Sequence, residues 1–332
     1  MRAVVLVGGF GTRLRPLTNS VPKPMLPVGH VPMIARLVAR LGRGGVTEVV
    51  LALGFKPEPF MEAFPDGRCG DVRLRYAVEP EPLDTAGAIR FAADQVGIDD
   101  TFVVANGDVM TDLDVGALVA AHRRFAAEAT IHLIGVDDPS AFGVVDLDAD
   151  GRVRAFVEKP PPGAEPSNLV NAGTYVFEPA VLDRIPAGRK VSIERDVFPG
   201  IAADGALYGV STDDYWLDAG RPELYRAANL DLLGERRVHD RCEPVDATSS
   251  VDPAATVANS IVGERVVVGA GARVVDSVLL PDAIVEAGAS VTRSLVMGVV
   301  GRDADVADSM IGADGRVAAG SRLHDGALPE TG

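Results

Sequence analysis

The chain has 332 residues, 47% of them hydrophobic and 24% charged, and its 32 Lys+Arg stand against 47 Asp+Glu for a formal net charge of −15. That length is more than one typical core and predicts two domains, and the acidic balance argues against nucleic acid as a partner. No apolar run approaches the roughly 20 residues that span a bilayer, and Cys69 and Cys242 lie too far apart for a zinc or disulfide pattern, so neither membrane nor nucleic acid is expected and the compartment is expected to be the cytoplasm.

The N-terminal stretch departs from the acidic trend. Residues 1–47 hold seven basic side chains (Arg2, Arg13, Arg15, Lys23, Arg36, Arg40 and Arg43) and no carboxylate. Within it an apolar strand at residues 3–7 runs into Gly8, Gly9 and Gly11, and then into a proline-punctuated segment with Arg13, Arg15 and Lys23. Glycines let backbone N–H groups approach an anion closely, and the basic side chains add full positive charge at the same place. The segment therefore predicts a polyphosphate site. It is not a Walker A loop, because Lys23 sits between two prolines, nor a dinucleotide fingerprint, because Gly9 and Gly11 have no third glycine after them.

Further along, residues 33–41 have helical spacing and residues 49–53 form an apolar run of strand length, an alternation that predicts a parallel sheet with covered faces. A strand at 74–78 leads to Thr85, Ala86 and Gly87, which open a helix. Either its free N–H groups point at a ligand, or this is an ordinary helix start with Thr85 near the cap. The strand at 101–105 ends in Asn106, Gly107 and Asp108. A carboxylate at the carboxyl end of a central strand suits a magnesium ligand, although a plain turn also fits. Residues 115–125 predict a helix and 130–134 a strand. Strands at 143–147 and 153–157 form a hairpin across residues 148–151, closed by Glu158 and Lys159, which taken alone read as surface charge. A helix at 222–233 leads to Glu235, Arg236 and Arg237 as a domain boundary. From residue 251 aromatics vanish and aliphatics recur at spacings of six: 251 to 257, 268 to 274 to 280, 285 to 291 to 297, and 311 to 317 to 323. This is the hexapeptide β-helix pattern, with a phase that slips between runs. Flat faces of such coils commonly associate, so a homo-oligomer, dimer or tetramer, is expected.

Residues 6–28, LVGGFGTRLRPLTNSVPKPMLPV, resemble the GGxGTRLxPLT…PKPM signature of the sugar-phosphate nucleotidylyltransferases. The resemblance extends through the EKP at Glu158, the NAG at Asn171, the SIE at Ser192 and the WLD at Trp216. It implies a Rossmann-like nucleotidyltransferase domain with a mixed central sheet over residues 1–236, a linker at 239–250, and a left-handed β-helix at 251–326. It implies that Leu6, Gly8, Gly9, Gly11, Thr12, Arg13, Lys23, Thr85, Ala86, Gly87, Asn106 and Gly107 bind the nucleotide. Gly143, Glu158, Lys159, Asn171 and Arg195 would bind the sugar phosphate, and Asp218 would join Asp108 on Mg²⁺. The TAG and SIE segments are similar to those of the mannose-1-phosphate guanylyltransferase branch, with Asp84 where that branch has glycine.

The reaction implied is in-line attack of a sugar 1-phosphate on the α-phosphorus of a nucleoside triphosphate, which needs charge neutralised and groups aligned more than it needs a general base. Arg13, Lys23 and Asp108 are the expected catalytic residues. GTP and mannose 1-phosphate are the favoured substrates. The alternatives are dTTP, UTP or ATP, an acceptor such as glucose 1-phosphate or a cyclitol phosphate, or a non-catalytic regulatory paralogue.

Overall fold

The computed structural model describes residues 1–9, 11–54, 57–234 and 240–329. The elements in chain order begin with β1 (Arg2–Leu6), β2 (Pro27–Val28), β3 (Val31–Pro32), α1 (Met33–Arg43), β4 (Glu48–Leu53) and α2 (Glu58–Ala63). They continue with β5 (Arg68–Cys69), β6 (Val72–Val78), α3 (Asp84–Val96), β7 (Phe102–Asn106), β8 (Val109–Thr111), α4 (Val115–Phe125) and β9 (Ala129–Gly135). Then come β10 (Gly143–Leu147), β11 (Val153–Glu158), β12 (Leu169–Phe177), α5 (Ala180–Asp183), a π-helical turn at Ile193–Val197, α6 (Phe198–Ala203), β13 (Leu207–Thr212), β14 (Trp216–Asp218) and α7 (Pro222–Leu230). The chain divides into two compact units, Met1–Gly9 with Ile34–Trp216 and Phe10–Met33 with Leu217–Gly332. The boundary expected at Glu235, Arg236 and Arg237 lies outside the described residues.

The first unit is built on a sheet in the order β11-β10-β12-β7-β1-β4-β6-β5, with β9 beside β12 and β13 beside β9. Strands β7, β1, β4 and β6 run parallel, while β12 is antiparallel to β7 and β9, so the sheet is mixed. The parallel strands read as unbroken apolar runs because both their faces are covered: Val49, Val50 and Leu51 are fully buried, as are Val103 and Val104. On the β12 side the core is aromatic, with Phe102 and Phe177 edge to face at 5.8 Å and Tyr175 stacked on Phe177 at 5.6 Å. Strand β1 lies between β4 and β7, which come after it in sequence on opposite sides. That is the reversal of strand order where open α/β sheets leave a crevice beyond their carboxyl ends.

In the second unit the described residues from Ser250 to Leu328 wind through three five-stranded parallel sheets, the arrangement of a left-handed β-helix. Val251, Val268, Val285, Val300 and Val317 stack in register on one side, Val257, Val274, Val291, Val306 and Leu323 on the second, and Val262, Leu279, Val296, Ile311 and Leu328 on the third. The six-residue period is therefore corrected on the third side, where the step is one residue shorter. Leu279 and Val296 point inward, not their neighbours Leu280 and Met297, and the phase slips come from this short side together with the four-residue step from Val296 to Val300. Buried serines mark the repeat: Ser277 donates its N–H to Ser260 and Ser294 to Ser277 at a separation of 17 residues, and Ser309 to Ser294 at 15. One corner turns on Asn259, Asp276, Arg293, Asp308 and Asp325, all at positive φ between 43° and 51°. Short polar side chains predominate there because they tolerate the left-handed region better than most.

Candidate active site

In the first unit the site grows from the ends of β1 and β7. Leu6 pairs with Asn106 in register, and Gly107 N donates to Leu6 O at 2.8 Å. A Cβ at Gly107 would stand 2.6 Å from Val7 Cγ1, so only glycine lets the chain turn here and deliver Asp108. Gly8 packs against Gly54 N, 3.4 Å from its Cβ position, whereas Gly9 faces open space.

Around the sugar-binding candidates the geometry converges on one buried phenol. Gly143 pairs with Glu158 across the hairpin, and Lys159, at φ 49°, holds its Nζ 3.4 Å from Glu158 Oε1. Asn171 Oδ1 accepts from Gly173 N at 2.9 Å, and its Nδ2 donates to the Tyr175 hydroxyl at 2.9 Å. Both polar atoms of the Asn171 amide are thus used within β12. Gly173, at φ 75°, packs its Cβ position 2.6 Å from Asn106 Nδ2, which ties this segment to the end of β7. The Tyr175 phenol is pushed far above its ordinary pKa, first by burial and then by the charges of Glu194, Glu158 and Asp108. Carboxylates from three separate segments thus lie near enough to this phenol to be felt by it.

The start of α3 is bonded within the chain. Its N–H groups are not free: Ala86 N and Gly87 N donate to Val191 O at 2.9 and 3.2 Å, and Thr85 N to Asp84 Oδ1 at 2.8 Å. Thr85 Oγ1 donates to Glu194 Oε2 and accepts from Ile193 N, both at 2.8 Å. Gly87 is glycine because its Cβ position lies 2.5 Å from Arg189 O. These residues fasten a loop and do not present donors. Asp84 sits at φ 60° and pairs with Arg195 Nη2 at 2.9 Å, so the residue that replaces glycine keeps the glycine backbone.

Glu79 was not singled out from the sequence. It follows β6 as Asp108 follows β7, is only 7% exposed, and accepts from Leu83 N through Oε2 at 2.8 Å. Burial pushes its carboxyl above the usual range, partly offset by that bond. Its Oε1 lies 3.6 Å from the Cβ position of Gly8, facing the glycine turn.

In the second unit Gly11, at φ 59°, is the left-handed residue before the short helical turn Thr12–Leu14, and its Cβ position would lie 2.9 Å from Thr18 Cγ2 and 3.1 Å from Lys23 Cβ. Thr18 closes the turn by donating to Gly11 O at 2.8 Å. Thr12 and Arg13 are exposed, while Lys23 is buried with Nζ 3.9 Å from Asp218 Oδ1. Asp218 Oδ1 accepts from Gly220 N at 2.8 Å. A single point, the Cβ position of Gly220, is 3.1 Å from Lys23 Nζ, 2.8 Å from Asp218 Oδ1 and 3.5 Å from Arg13 Nη2. Arg13, Lys23 and Asp218 therefore meet within this unit.

Among the described residues no group of three or more His, Cys, Asp or Glu could hold a metal by itself. A hard cation that takes only one or two carboxylates and completes its shell from water and phosphates does not need such a group. No helix among the described residues is long and apolar enough to cross a membrane.

Comparison with known proteins shows the family. A mannose-1-phosphate guanylyltransferase of Mycobacterium tuberculosis is 40% identical over 88% of this chain and 83% of its own length. Mannose-1-phosphate guanylyltransferase 1 of Arabidopsis thaliana is 36% identical over 98% and 90%. The solved structure of HddC from Yersinia pseudotuberculosis, complexed with GMP-PN, superposes with a TM-score of 0.59 at 29% identity, covering 69% of this chain and 97% of that one. The Nucleotidyl transferase family profile matches residues 2–235, the span that contains every strand-end and loop residue described above, and the chain is an enzyme that belongs to this family.

Proposed function

We propose that the chain transfers the guanylyl group of GTP to mannose 1-phosphate, releasing pyrophosphate and forming GDP-mannose. The relatives named as mannose-1-phosphate guanylyltransferases support both substrates. The observation that carries the choice of base is Glu79, a buried carboxylate turned toward the glycine turn. Guanine presents two adjacent donors on its pairing edge, N1–H and the exocyclic amine, and a carboxylate accepts from both. The pairing edges of uracil, thymine and adenine each mix donors with acceptors and leave one carboxylate oxygen facing an acceptor.

In this reading Gly8, Gly9 and Gly11 admit the triphosphate, Arg13 neutralises the departing pyrophosphate, and Lys23 holds the α-phosphate. Lys159 binds the phosphate of the acceptor, Glu158 and Asn171 hold sugar hydroxyls, and Arg195 braces the base loop through Asp84. The nucleophile is already an ionised phosphate oxygen, so it attacks the α-phosphorus as the bond to the β-phosphate oxygen breaks, with no proton to remove. Asp108 and Asp218 are each a carboxylate candidate for Mg²⁺, which when bound would neutralise charge on the phosphates. We also read the chain as a cytoplasmic homo-oligomer, supported by Val267 and Ile284, which stack in register and partly exposed on one sheet of the coil; sedimentation velocity tests the assembly.

Pyrophosphate release measured for five nucleoside triphosphates against several sugar 1-phosphates tests the function, with the highest kcat/KM expected for GTP and mannose 1-phosphate. Glu79→Gln is expected to lower kcat/KM for GTP roughly tenfold to a hundredfold, the worth of a charged hydrogen bond. A better rate with another triphosphate, or an unchanged preference in the Gln variant, removes guanine recognition from Glu79.

A further inference from the structure

The loop that carries Arg13 and Lys23 belongs to the same compact unit as the coil, and the coil touches it. A Cβ at Gly312 would lie 2.9 Å from both Pro16 Cβ and Pro16 O and 3.1 Å from Pro16 C. Close by, Ser20 Oγ is 3.6 Å from Met297 Sδ, the residue that the short third side turns away from the coil interior. At the far end of the loop the Tyr225 hydroxyl donates to Pro27 O. Asn229, fully buried, accepts from Gly29 N at 2.8 Å and donates to Tyr225 O at 2.9 Å. Helix α7, which supplies both residues, is tied to a coil corner by Arg226, whose Nη1 donates to Asp276 O at 3.0 Å.

From Thr12 to Met25 the loop has only short helical turns (Thr12–Leu14, Leu17–Asn19 and Lys23–Met25), and its one ladder is the two-residue pairing of β2 with β3 beyond them. A segment of that kind must borrow its rigidity, and a displacement of about 1 Å in a phosphate ligand can cost a hundredfold in rate. We propose that the coil is a positioning element for the triphosphate loop, with Gly312 pressing on Pro16 at one end and Asn229 holding Gly29 at the other. Neither residue touches a reacting atom; both act through Arg13 and Lys23. The proposal rests on the reading of those two side chains as polyphosphate ligands.

Two glycine substitutions separate this role from mere stability. Neither Gly312 nor Gly301 has positive φ, and a Cβ at Gly301 would meet only coil atoms, Val317 O at 2.7 Å and Ala319 N at 2.8 Å. Gly312→Ala and Gly301→Ala are expected to lower Tm to a similar extent. Only Gly312→Ala should lower kcat/KM for GTP, by about tenfold or more, with KM for mannose 1-phosphate unchanged. If Gly312→Ala is insoluble, Met297→Ala removes the neighbouring contact without adding bulk and should shift kcat/KM in the same direction. Wild-type kinetics in the loop-facing variants, or an equal loss in Gly301→Ala, overturns the proposal. Calorimetric binding of inorganic tripolyphosphate reads the loop without base or sugar: weaker binding in Gly312→Ala than in Gly301→Ala upholds it even if GTP or mannose 1-phosphate proves the wrong substrate. A wild-type protein that binds no tripolyphosphate overturns both this proposal and the reading of the loop.

Discussion

The mixed sheet and the coil place side chains in opposite ways. In the sheet the candidate side chains gather where regularity stops: Asp108 in the turn after β7, Glu79 just past β6, Gly8 and Gly9 past β1, and Glu158 at the very end of β11. In the coil the strands repeat in register, the interior is aliphatic, and charged residues pair between turns at corners, such as Arg265 with Asp282 at 2.7 Å and Arg293 with Asp308. Strand-end carboxylates such as Glu79 stand beside the glycine turn, while coil-corner carboxylates such as Asp282 and Asp308 are paired with an arginine of a neighbouring turn. The same side chain thus means something different in each region, and the difference can be broken deliberately.

The largest effect should come from exchanging one carboxylate for an amide in each region. Asp108→Asn is expected to lower kcat by two to three orders of magnitude, the scale of losing one electrostatic partner of a transition state, with Tm nearly unchanged. Asp282→Asn should leave kcat alone. Pyrophosphate release and calorimetric melting check both, and a fully active Asp108→Asn would take that residue out of the metal role.

A smaller effect separates the two cores by pH. His132 lies fully buried in β9, with Nε2 bonded to Thr212 Oγ1 at 2.8 Å and no partner for Nδ1. Burial pushes its pKa down to about 4, so a proton on the folded imidazole would add a buried, unpaired N–H. Between an unfolded pKa of about 6.5 and the folded value the unfolded chain takes up a proton that the folded one refuses. The contribution of His132 is therefore complete above the unfolded value and is lost as pH falls, by up to about 1.4 kcal/mol per pH unit. The buried polar column of the coil is serine, with no buried histidine, so it adds nothing in this window. Denaturant titrations between pH 7 and 5 should show a shallower slope in His132→Gln, and an unchanged slope would assign the acid sensitivity elsewhere.

How far the sequence led depended on how local each contact is. The strand ends, the hairpin at residues 148–151 and the aliphatic coil were readable because they rest on periodicity and turn chemistry within a few residues. The meeting of Arg13, Lys23 and Asp218 was readable only through a long motif, since Asp218 lies far from both in sequence. Three features were not legible. Val191 O arrives from another segment to occupy the N–H groups of Ala86 and Gly87. Glu79 has no motif around it and gains its burial from the packing of neighbouring strands. The contact of Gly312 with Pro16 joins residues nearly 300 positions apart, and no spacing rule carries that far.

The smallest effect concerns Asp84, where two terms of similar size oppose one another. At φ 60° an aspartate carries a backbone cost of about 1 kcal/mol that glycine would not. Glycine would return part of that gain through the greater freedom of the unfolded chain, and it would lose the pair with Arg195. That pair is half exposed and is worth between nothing and about 1 kcal/mol. Asp84→Gly should therefore change stability by less than about 1 kcal/mol. Because Ala86 N, Gly87 N and Thr85 Oγ1 still fasten the loop to residues 191–194, KM for GTP should stay within about threefold of wild type, an energy comparable to one exposed ion pair. A tenfold rise would instead make the Asp84–Arg195 pair the clasp of the base loop, and Arg195→Ala should then reproduce it. With the strand-end carboxylates, that outcome would give the sheet unit a second kind of charged residue that acts through its position and not through its solvation.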